Sequence, residues 1–428
     1  MPDGFLWQLG SYVPDMWRGS VYREGEKMES QHKKGTPLHW LRTLMAAGFV
    51  LEIGSLLATR GAFLNRMVYE LGRFPDFFNH VRRFYLGLPT IYMADQDACF
   101  PPLAYCFYYL ISRILSQDQS TDMAVLATSG YGMLVIAVVT AGFAVLFVFA
   151  AQRLCRMQPG WRKNSFLLLV LLSYPFWMAV ERGNMACGVL LLILAAIPLS
   201  ESKSPAKQEA GLFLFAIAAA LKLYPAIFFL YYAAKKRWRE AFRFVLYSLL
   251  LFVVPFVFFG GIEGFRYFWK NITAVGGGAT GVTIAGIVGM VGEKLGLSLQ
   301  LGHQVGKIIA LAYAALVVWF VFRNIGKCLW QTMALLVSMM IIFVPASGSY
   351  CLLYFSVPLF LFVNDLLGRT FWGRRDYLYA VLFALVFYGY PVAGASVTPL
   401  LYGALYLLLG CILLDQFRLL KSAGRLAS

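Results

Sequence analysis

The stretch ATSGYGMLVIAVVTAGFAVLFVFAA, residues 127–151, contains no charged side chain. At 1.5 Å per residue a helix of this length rises roughly 37 Å, enough to cross a hydrocarbon core of about 30 Å. Backbone N–H and C=O groups find no water in lipid, so a chain that crosses the core must satisfy them internally, as a helix does. The stretch therefore predicts a transmembrane helix.

Similar stretches recur along the whole chain. Of the 428 residues, 60% are hydrophobic and only 14% are charged, whereas a soluble domain carries about 25% charged residues. We predict an all-α, polytopic membrane protein with about twelve transmembrane helices. The predicted spans are approximately residues 39–59, 127–151, 165–180, 185–200, 210–221, 223–234, 241–260, 305–322, 331–346, 351–364, 377–392 and 399–415.

The distribution of basic residues indicates the topology. A net charge of +16 could suggest nucleic-acid binding, but the Lys and Arg residues lie in short loops between apolar stretches, as the positive-inside rule describes. We therefore exclude nucleic acid as a partner. The apolar run 101–112 is too short to cross, and treating it as a surface or re-entrant helix places the basic loops on the cytoplasmic side. The seven cysteines have no metal-ligand spacing.

This topology divides the chain into three parts. Residues 1–38 and 417–428 are predicted to be cytoplasmic, and residues 39–416 form the transmembrane domain. Its large extracytoplasmic loops are residues 60–126 and 261–304, and both termini lie inside. The predicted location is the cytoplasmic (inner) membrane, with any active site on the extracytoplasmic side.

The first outer loop offers a candidate general base. Asp76 lies among Phe74, Phe77 and Phe78, and burial beside aromatic rings raises the pKa of a carboxyl group towards the range useful for proton abstraction. The alternative is an aspartate that caps a helix over 76–86, since Pro75-Asp76 resembles a helix start.

Other polar residues of this loop are weaker candidates. His80 lies one helical turn after Asp76, so both could face one cavity. Asp95 and Asp97 form a D-x-D that could share a divalent cation with diphosphate oxygens, or could simply be a solvated turn.

Outer turns between predicted spans contain further candidates. Arg182 and Asn184 lie in an ERGN turn and Lys222 in an LKLYP turn, where they could hold a phosphate. Alternatively, the cations extend to the lipid headgroups. Tyr224 and Tyr350 could line the same cavity or belong to the interfacial aromatic belt.

The second outer loop is glycine-rich, with GGGATG at 276–281, and contains His303. Such a loop could cover a site or be a plain connector. The chain has no Walker A, G-x-S-x-G, H-E-x-x-H or nucleotide-type G-x-G-x-x-G motif, so soluble nucleotide chemistry is unsupported.

Four short motifs in one order resemble a known superfamily. They are Pro75-Asp76-Phe77, FPPL at 100–103, the ERGN turn and KLYP at 222–225. They resemble the GT-C superfamily of membrane glycosyltransferases, in particular the polyprenol-phosphate-mannose-dependent mannosyltransferases of the DUF2029 group. The RGN and K-x-Y-P turns are also similar to the mannosyltransferase I of GPI-anchor synthesis. The resemblance extends over residues 40–240 and, beyond them, to topology only.

The resemblance implies an activity. It is the inverting transfer of one sugar, mannose or another hexose or pentose, from a polyprenyl-phosphate donor to a lipid-linked or glycan acceptor. The family's early aspartate acts as general base, a role that carries over to Asp76, and Arg182 and Lys222 are the candidates for steadying the leaving phosphate. Because Phe77 and Phe78 follow Asp76, the D-x-D of some members is absent there. We therefore expect no cofactor, with a divalent metal at Asp95 and Asp97 as the alternative.

Two other functions stay open at this point. A secondary transporter or flippase of lipid-linked saccharides would place ionisable residues at mid-span and often has internal repeats. No repeat is evident, and the ionisable residues gather at the outer ends of the spans, which favours an enzyme. An O-antigen polymerase or ligase would place key arginines in a large later outer loop, and residues 261–304 offer few. The expected partners are the sugar donor, the acceptor and membrane lipids.

Overall fold

The computed structural model describes residues 35–62, 74–94, 97–115, 123–275, 282–344, 347–389 and 398–425, and every regular element in these ranges is helical. The α-helices, numbered in chain order, are α1 (Pro37–Ala58), α2 (Pro75–Arg82), α3 (Ile91–Ala94), α4 (Pro102–Leu115), α5 (Met123–Thr128), α6 (Gly130–Leu154), α7 (Trp161–Leu171), α8 (Tyr174–Arg182), α9 (Ala186–Ser200), α10 (Pro205–Leu221), α11 (Phe229–Ala234), α12 (Trp238–Val253), α13 (Gly261–Val275), α14 (Ile284–Lys294), α15 (Leu299–Asn324), α16 (Leu329–Ile342), α17 (Ser356–Leu367), α18 (Arg374–Tyr388) and α19 (Thr398–Arg425). The 3₁₀ helices are Arg83–Leu86, Leu88–Thr90, Tyr224–Phe228, Val254–Phe258 and Ser349–Phe355.

The predicted fold class, an all-α polytopic membrane protein, is confirmed. Within the described ranges, six helical segments are long and apolar enough to cross a membrane. They are Pro37–Ala58, Gly130–Leu154, Trp238–Phe258, Leu299–Asn324, Ser349–Leu367 and Leu400–Leu420. The chain is therefore a multi-pass integral membrane protein.

The number of long spans differs from the sequence prediction. Over the residues that the structure describes, each of the twelve predicted spans overlaps a helix. Only six of the described helices pass the test of length and apolarity alone, or seven if α7 and α8 form one span with a bend of 54°. The bend directly precedes Pro175, which has no N–H for the helical ladder. Three more apolar helices, Ala186–Ser200, Tyr224–Ala234 and Leu329–Ile342, have 10–17 residues and are shorter than a full crossing.

The loops predicted on the outer side are largely helical. The first contains α2 to α5, and α4 packs against α2, α10 and α12. This is the helix that the short run 101–112 predicts, and its re-entrant placement stays a prediction. The second contains α13, α14 and the start of α15, while the glycine-rich segment 276–281 lies outside the described residues.

The buried apolar side chains form two clusters. The larger includes residues of α6, α8, α9, α10 and α16 to α19, and the smaller includes residues of α2, α3, α4 and the Phe256–Phe268 region. Helix α2 contacts α4, α5 and α8. It thus brings the smaller cluster against the larger one at the end of α8, where the ERGN turn begins.

Candidate active site

Asp76 lies in the first turn of α2, directly after Pro75. The residue before the helix, Phe74, has a left-handed backbone (φ +50°), and no side chain caps the helix start. The alternative role of Asp76 as a helix cap is therefore wrong. Its carboxylate turns away from the backbone of α2 and towards α8, where its hydrogen-bond partners lie.

Arg182, the last residue of α8, forms a two-pronged ion pair with Asp76. Its Nε donates to Oδ2 at 2.8 Å and its Nη2 to Oδ1 at 2.7 Å. The side chains are 22% and 17% exposed, so the pair is shielded from water over most of its surface. This fork geometry is the strongest form of carboxylate recognition and fixes the orientation of the Asp76 side chain.

Asn184 connects this ion pair to Lys222. Its Nδ2 donates to Asp76 Oδ2 at 2.5 Å, and its Oδ1 accepts from Lys222 Nζ at 2.6 Å. The same Oδ1 accepts from the backbone N–H of Ala186 at 2.9 Å. The four residues Asp76, Arg182, Asn184 and Lys222, here called the carboxylate–lysine cluster, therefore form one continuous network although they come from three separate turns.

Gly183 allows the two turns to approach. It has a left-handed backbone with φ +61°, and a Cβ built there would lie 2.5 Å from Cβ of Phe77. Only glycine adopts this conformation routinely, and no other residue fits against α2 at this distance. The glycine of the ERGN turn is thus required so that Arg182 and Asn184 can both face Asp76.

Replacing Gly183 with alanine should destabilise the protein by roughly 2 kcal/mol or more, because a left-handed Cβ penalty adds to the clash with Phe77. The apparent melting temperature in detergent checks this. Gly54→Ala is the matched control, since Gly54 lies in α1 and a Cβ there meets no atom within 4 Å. Equal melting temperatures for the two variants would contradict the close approach.

Lys222 is a buried cation surrounded by aromatic rings. It is 6% exposed, and its Nζ lies 5.1 Å from the ring centre of Phe100, 5.5 Å from that of Tyr350 and 5.7 Å from that of Tyr224. Within the described residues it forms no ion pair with a carboxylate within 4.0 Å. Burial lowers the pKa of Lys222, and its hydrogen bond to Asn184 leaves two N–H donors.

The tyrosines predicted near the site lie beside the cluster. The ring of Tyr350 is also 5.3 Å from the guanidinium carbon of Arg182. The hydroxyl of Tyr224 lies 2.6 Å from that of Tyr354, which is fully buried. Tyr224 and Tyr350 thus form part of the wall around Lys222 and not an exposed aromatic belt.

His80 faces a different set of partners from Asp76. Its Nδ1 accepts from Arg83 Nη1 at 2.6 Å and lies 3.2 Å from the Tyr105 hydroxyl, and its ring stacks on Phe100 at 4.2 Å. Arginine can only donate, so Nδ1 is the unprotonated nitrogen. Burial, together with the positive charges of Arg83 and Lys222, lowers the pKa of His80 well below its ordinary value. His80 therefore packs against Phe100, which itself lies beside Lys222. Binding of substrate by His80 stays a prediction.

The remaining predicted residues do not join the cluster. Asp95 lies outside the described residues, and Asp97 is exposed in a turn. His303, in α15, packs against Gly289 of α14, and within the described ranges no hydrogen bond or ring contact links it to the cluster. Across the part of the chain that the structure describes, no three His, Cys, Asp or Glu side chains are grouped as metal ligands would be.

An apolar cavity of about 660 Å³ reaches the cluster. Phe77, Gly183 and Asn184 line it at the cluster, and residues of α6 from Ile136 to Ala150 line its side. These positions span roughly 20 Å of helix. The cavity is therefore long and mainly apolar, and the polar residues of its lining include Asn184, Tyr108 and Thr140.

One acidic residue beside the site, Glu181, was not among the candidates predicted from the sequence. Glu181 precedes Arg182 in the last turn of α8, and its Oε2 is buried without a hydrogen-bond partner among the described residues. The guanidinium of Arg182, its neighbour in sequence, is bound to Asp76.

The fold and the site define a multi-pass helical membrane protein with a buried network of carboxylate, amide and lysine at the ends of its helices. Residues 122–347, which include Arg182, Asn184 and Lys222, match glycosyltransferase family 87, and the chain belongs to this family. It is therefore a membrane glycosyltransferase, and the transporter alternative is set aside. Comparison with curated proteins and with solved structures gave no match.

Proposed function

We propose that this glycosyltransferase moves one sugar, mannose or another hexose or pentose, from a polyprenyl-phosphate donor to a lipid-linked or glycan acceptor, with inversion at the anomeric carbon. We propose that the reaction takes place on the extracytoplasmic face of the cytoplasmic membrane. The observation that carries the proposal is the carboxylate–lysine cluster at the end of a long apolar cavity. It provides a base, a cation and a place for a hydrocarbon chain within one network.

Asp76 is the proposed general base, and its two oxygens are not equivalent. Oδ2 accepts from both Arg182 Nε and Asn184 Nδ2, whereas Oδ1 accepts only from Arg182 Nη2. A carboxylate oxygen accepts about two hydrogen bonds. Oδ1 therefore keeps the free lone pair, and it is the atom that would receive the proton of the acceptor hydroxyl.

Lys222 is the proposed partner of the leaving phosphate. Polyprenyl phosphate gains negative charge as its bond to the sugar breaks, and a positioned cation in a water-poor site stabilises that charge. Arg182 and Lys222 were both candidates for this role on the sequence. Since Asp76 already occupies Nε and Nη2 of Arg182, the role falls mainly to Lys222.

The apolar cavity suits the lipid part of the donor. Its lining is mainly apolar and long enough for several isoprene units, and one of its polar lining residues, Asn184, contacts both Asp76 and Lys222. A chain placed there leaves the phosphate and the sugar at the cluster. Such anchoring holds the reacting groups in place before the reaction begins.

In the proposed step, the acceptor hydroxyl oxygen forms a bond to the anomeric carbon while its proton passes to Asp76 Oδ1. The bond between the anomeric carbon and the phosphate oxygen breaks, and the phosphate leaves with the electron pair beside Lys222. The products are the glycosylated acceptor and polyprenyl phosphate.

A transfer assay tests the proposal. The purified protein in nanodiscs is given polyprenyl-phosphate donors that carry radiolabelled mannose, glucose or a pentose, together with a total extract of membrane lipids and glycans. We expect label to pass from one donor to an acceptor and polyprenyl phosphate to accumulate in equal amount. Absence of transfer from every donor, with no polyprenyl lipid bound to the protein by native mass spectrometry, would sink the proposal.

Excess EDTA should leave the transfer rate within about twofold of the untreated rate, because Lys222 supplies the charge that a metal would otherwise supply. The measurement is the initial rate after dialysis against chelator. Full loss of activity, restored by Mg²⁺ or Mn²⁺, would contradict this and would assign a cation to Asp95 and Asp97.

A further inference from the structure

Glu181 has a carboxyl group that the described part of the protein leaves without a hydrogen-bond partner. The side chain is partly buried, and within the described residues it forms no hydrogen bond, and no ion pair within 4.0 Å. The cation next to it in sequence, Arg182, directs its Nε and Nη2 at Asp76. Glu181 therefore lies beside an ion pair of which it is not a member.

Two other shielded carboxylates of the chain, Glu201 and Asp376, have hydrogen-bond donors within the protein. Glu201 accepts from Lys235 Nζ at 2.6 Å and also from the Tyr231 hydroxyl. Asp376 accepts from the backbone N–H of Gly373 at 2.8 Å. Burying a carboxyl oxygen without a donor destabilises a protein, so such an atom in a native structure calls for an explanation. A ligand that supplies the donor is one explanation, and the position of Glu181 supports it.

The charges around Glu181 limit the kind of ligand. Glu181 interacts electrostatically with both Arg182 and Asp76, so a second acidic group lies close to the ion pair. A phosphate at this end of the site would place its negative charge beside two acidic groups, where the one guanidinium is already bound to Asp76. Neutral hydroxyl groups add no charge and donate directly to carboxylate oxygens.

Lys222 and Glu181 are connected to the ion pair through different residues. Lys222 contacts Asn184, and Glu181 directly precedes Arg182, which binds Asp76. We infer that Glu181 binds a pair of sugar hydroxyl groups of the substrate and so contributes to sugar specificity. The inference rests on the proposed function and extends it from the reacting atoms to the recognition of the sugar.

The test uses Glu181→Gln and Glu181→Leu in the full-length protein, with Glu263→Gln as the matched control. Glu263 is an exposed glutamate of α13 that pairs with Arg266 at 3.1 Å. The KM of the polyprenyl-phospho-sugar donor and the KM of the acceptor are measured separately. We expect Glu181→Leu to raise one of them by roughly 10- to 100-fold, as for the loss of hydrogen bonds to a charged group. The kcat should change much less. The substrate whose KM rises is the one whose sugar Glu181 binds.

Two further measurements separate this inference from the proposed function. Without substrate, the apparent melting temperature of Glu181→Leu should equal or exceed that of the parent, because a buried carboxyl oxygen without a hydrogen-bond donor is removed. If Glu181 binds the donor sugar, native mass spectrometry of Glu181→Leu should show weaker binding of the sugar-bearing lipid and unchanged binding of polyprenyl phosphate alone.

A fall of several degrees in melting temperature, or unaltered KM values for both substrates, would overturn the inference even if transfer itself is observed. Lack of transfer by the parent would overturn the proposed function, while the melting and binding data would still decide the role of Glu181.

Discussion

Replacing Asp76 with asparagine should lower the rate of sugar transfer by roughly 10²- to 10⁴-fold, the usual contribution of a positioned general base. The amide keeps the shape of the carboxylate but cannot hold the proton that the acceptor hydroxyl gives up. In the parent, Arg182 donates to both oxygens of Asp76. The variant replaces one of these oxygens with an NH₂ group, which is a donor facing a donor. The measurement is the initial rate at saturating donor and acceptor.

The control must separate lost chemistry from a lost ion pair. Asp365 pairs with Arg369, and it lies at the far end of the helical segment Ser349–Leu367 from Tyr350, roughly 20 Å or more along the axis. Asp365→Asn therefore removes a carboxylate from an arginine pair outside the cluster. We expect it to retain most of the transfer activity. Transfer at the parental rate by Asp76→Asn would show that the base is another group.

The helical content could be predicted from the sequence because the membrane imposes it. An apolar stretch such as residues 127–151 has no alternative to a helix in lipid, and it forms α6. The lengths of the spans were less predictable. Hydropathy does not register the break before Pro175, which bends α7 against α8 by 54°, nor the 3₁₀ turn at Tyr224–Phe228.

Part of the site could also be predicted. Charged and amide groups at the ends of apolar helices are costly, and so they are expected to meet one another. The structure brings Asp76, Arg182, Asn184 and Lys222 into one hydrogen-bonded network. What spacing cannot give is the identity of each partner. Sequence alone assigned Arg182 and Asn184 to a phosphate, whereas Arg182 orients Asp76 and Asn184 uses both ends of its amide within the protein.

His303 and Glu181 both show that site residues cannot be identified from local sequence alone. His303 was a candidate because its glycine-rich loop could cover a site, yet it packs on Gly289. Glu181 was not a candidate, yet its buried oxygen lacks a hydrogen-bond donor in the described residues. Whether a polar side chain is already partnered depends on contacts between distant segments, and no local pattern encodes them.

Replacing Lys222 with methionine should lower kcat by roughly 10²- to 10³-fold, the usual loss when a group that stabilises developing charge is removed from a water-poor site. Methionine keeps the aliphatic stem against Phe100 and Tyr350 and removes only the ammonium group. The fold should tolerate the change, since Asn184 Oδ1 still accepts from the N–H of Ala186. Lys270→Met is the matched control, because Lys270 is an exposed lysine that likewise lies near a tyrosine ring, 5.9 Å from that of Tyr267.

The pH dependence of the parent gives this prediction a second, independent readout. Burial lowers the pKa of Lys222, and the charged form is the one that the leaving phosphate requires. Activity should therefore be full below this pKa and fall as the pH rises through it, at a lower pH than for an ordinary exposed lysine. Lys222→Arg should retain part of the activity and shift the alkaline fall upward, since arginine stays protonated. An alkaline limb that is identical in the parent and in Lys222→Arg would show that another group titrates and that Lys222 does not hold the phosphate.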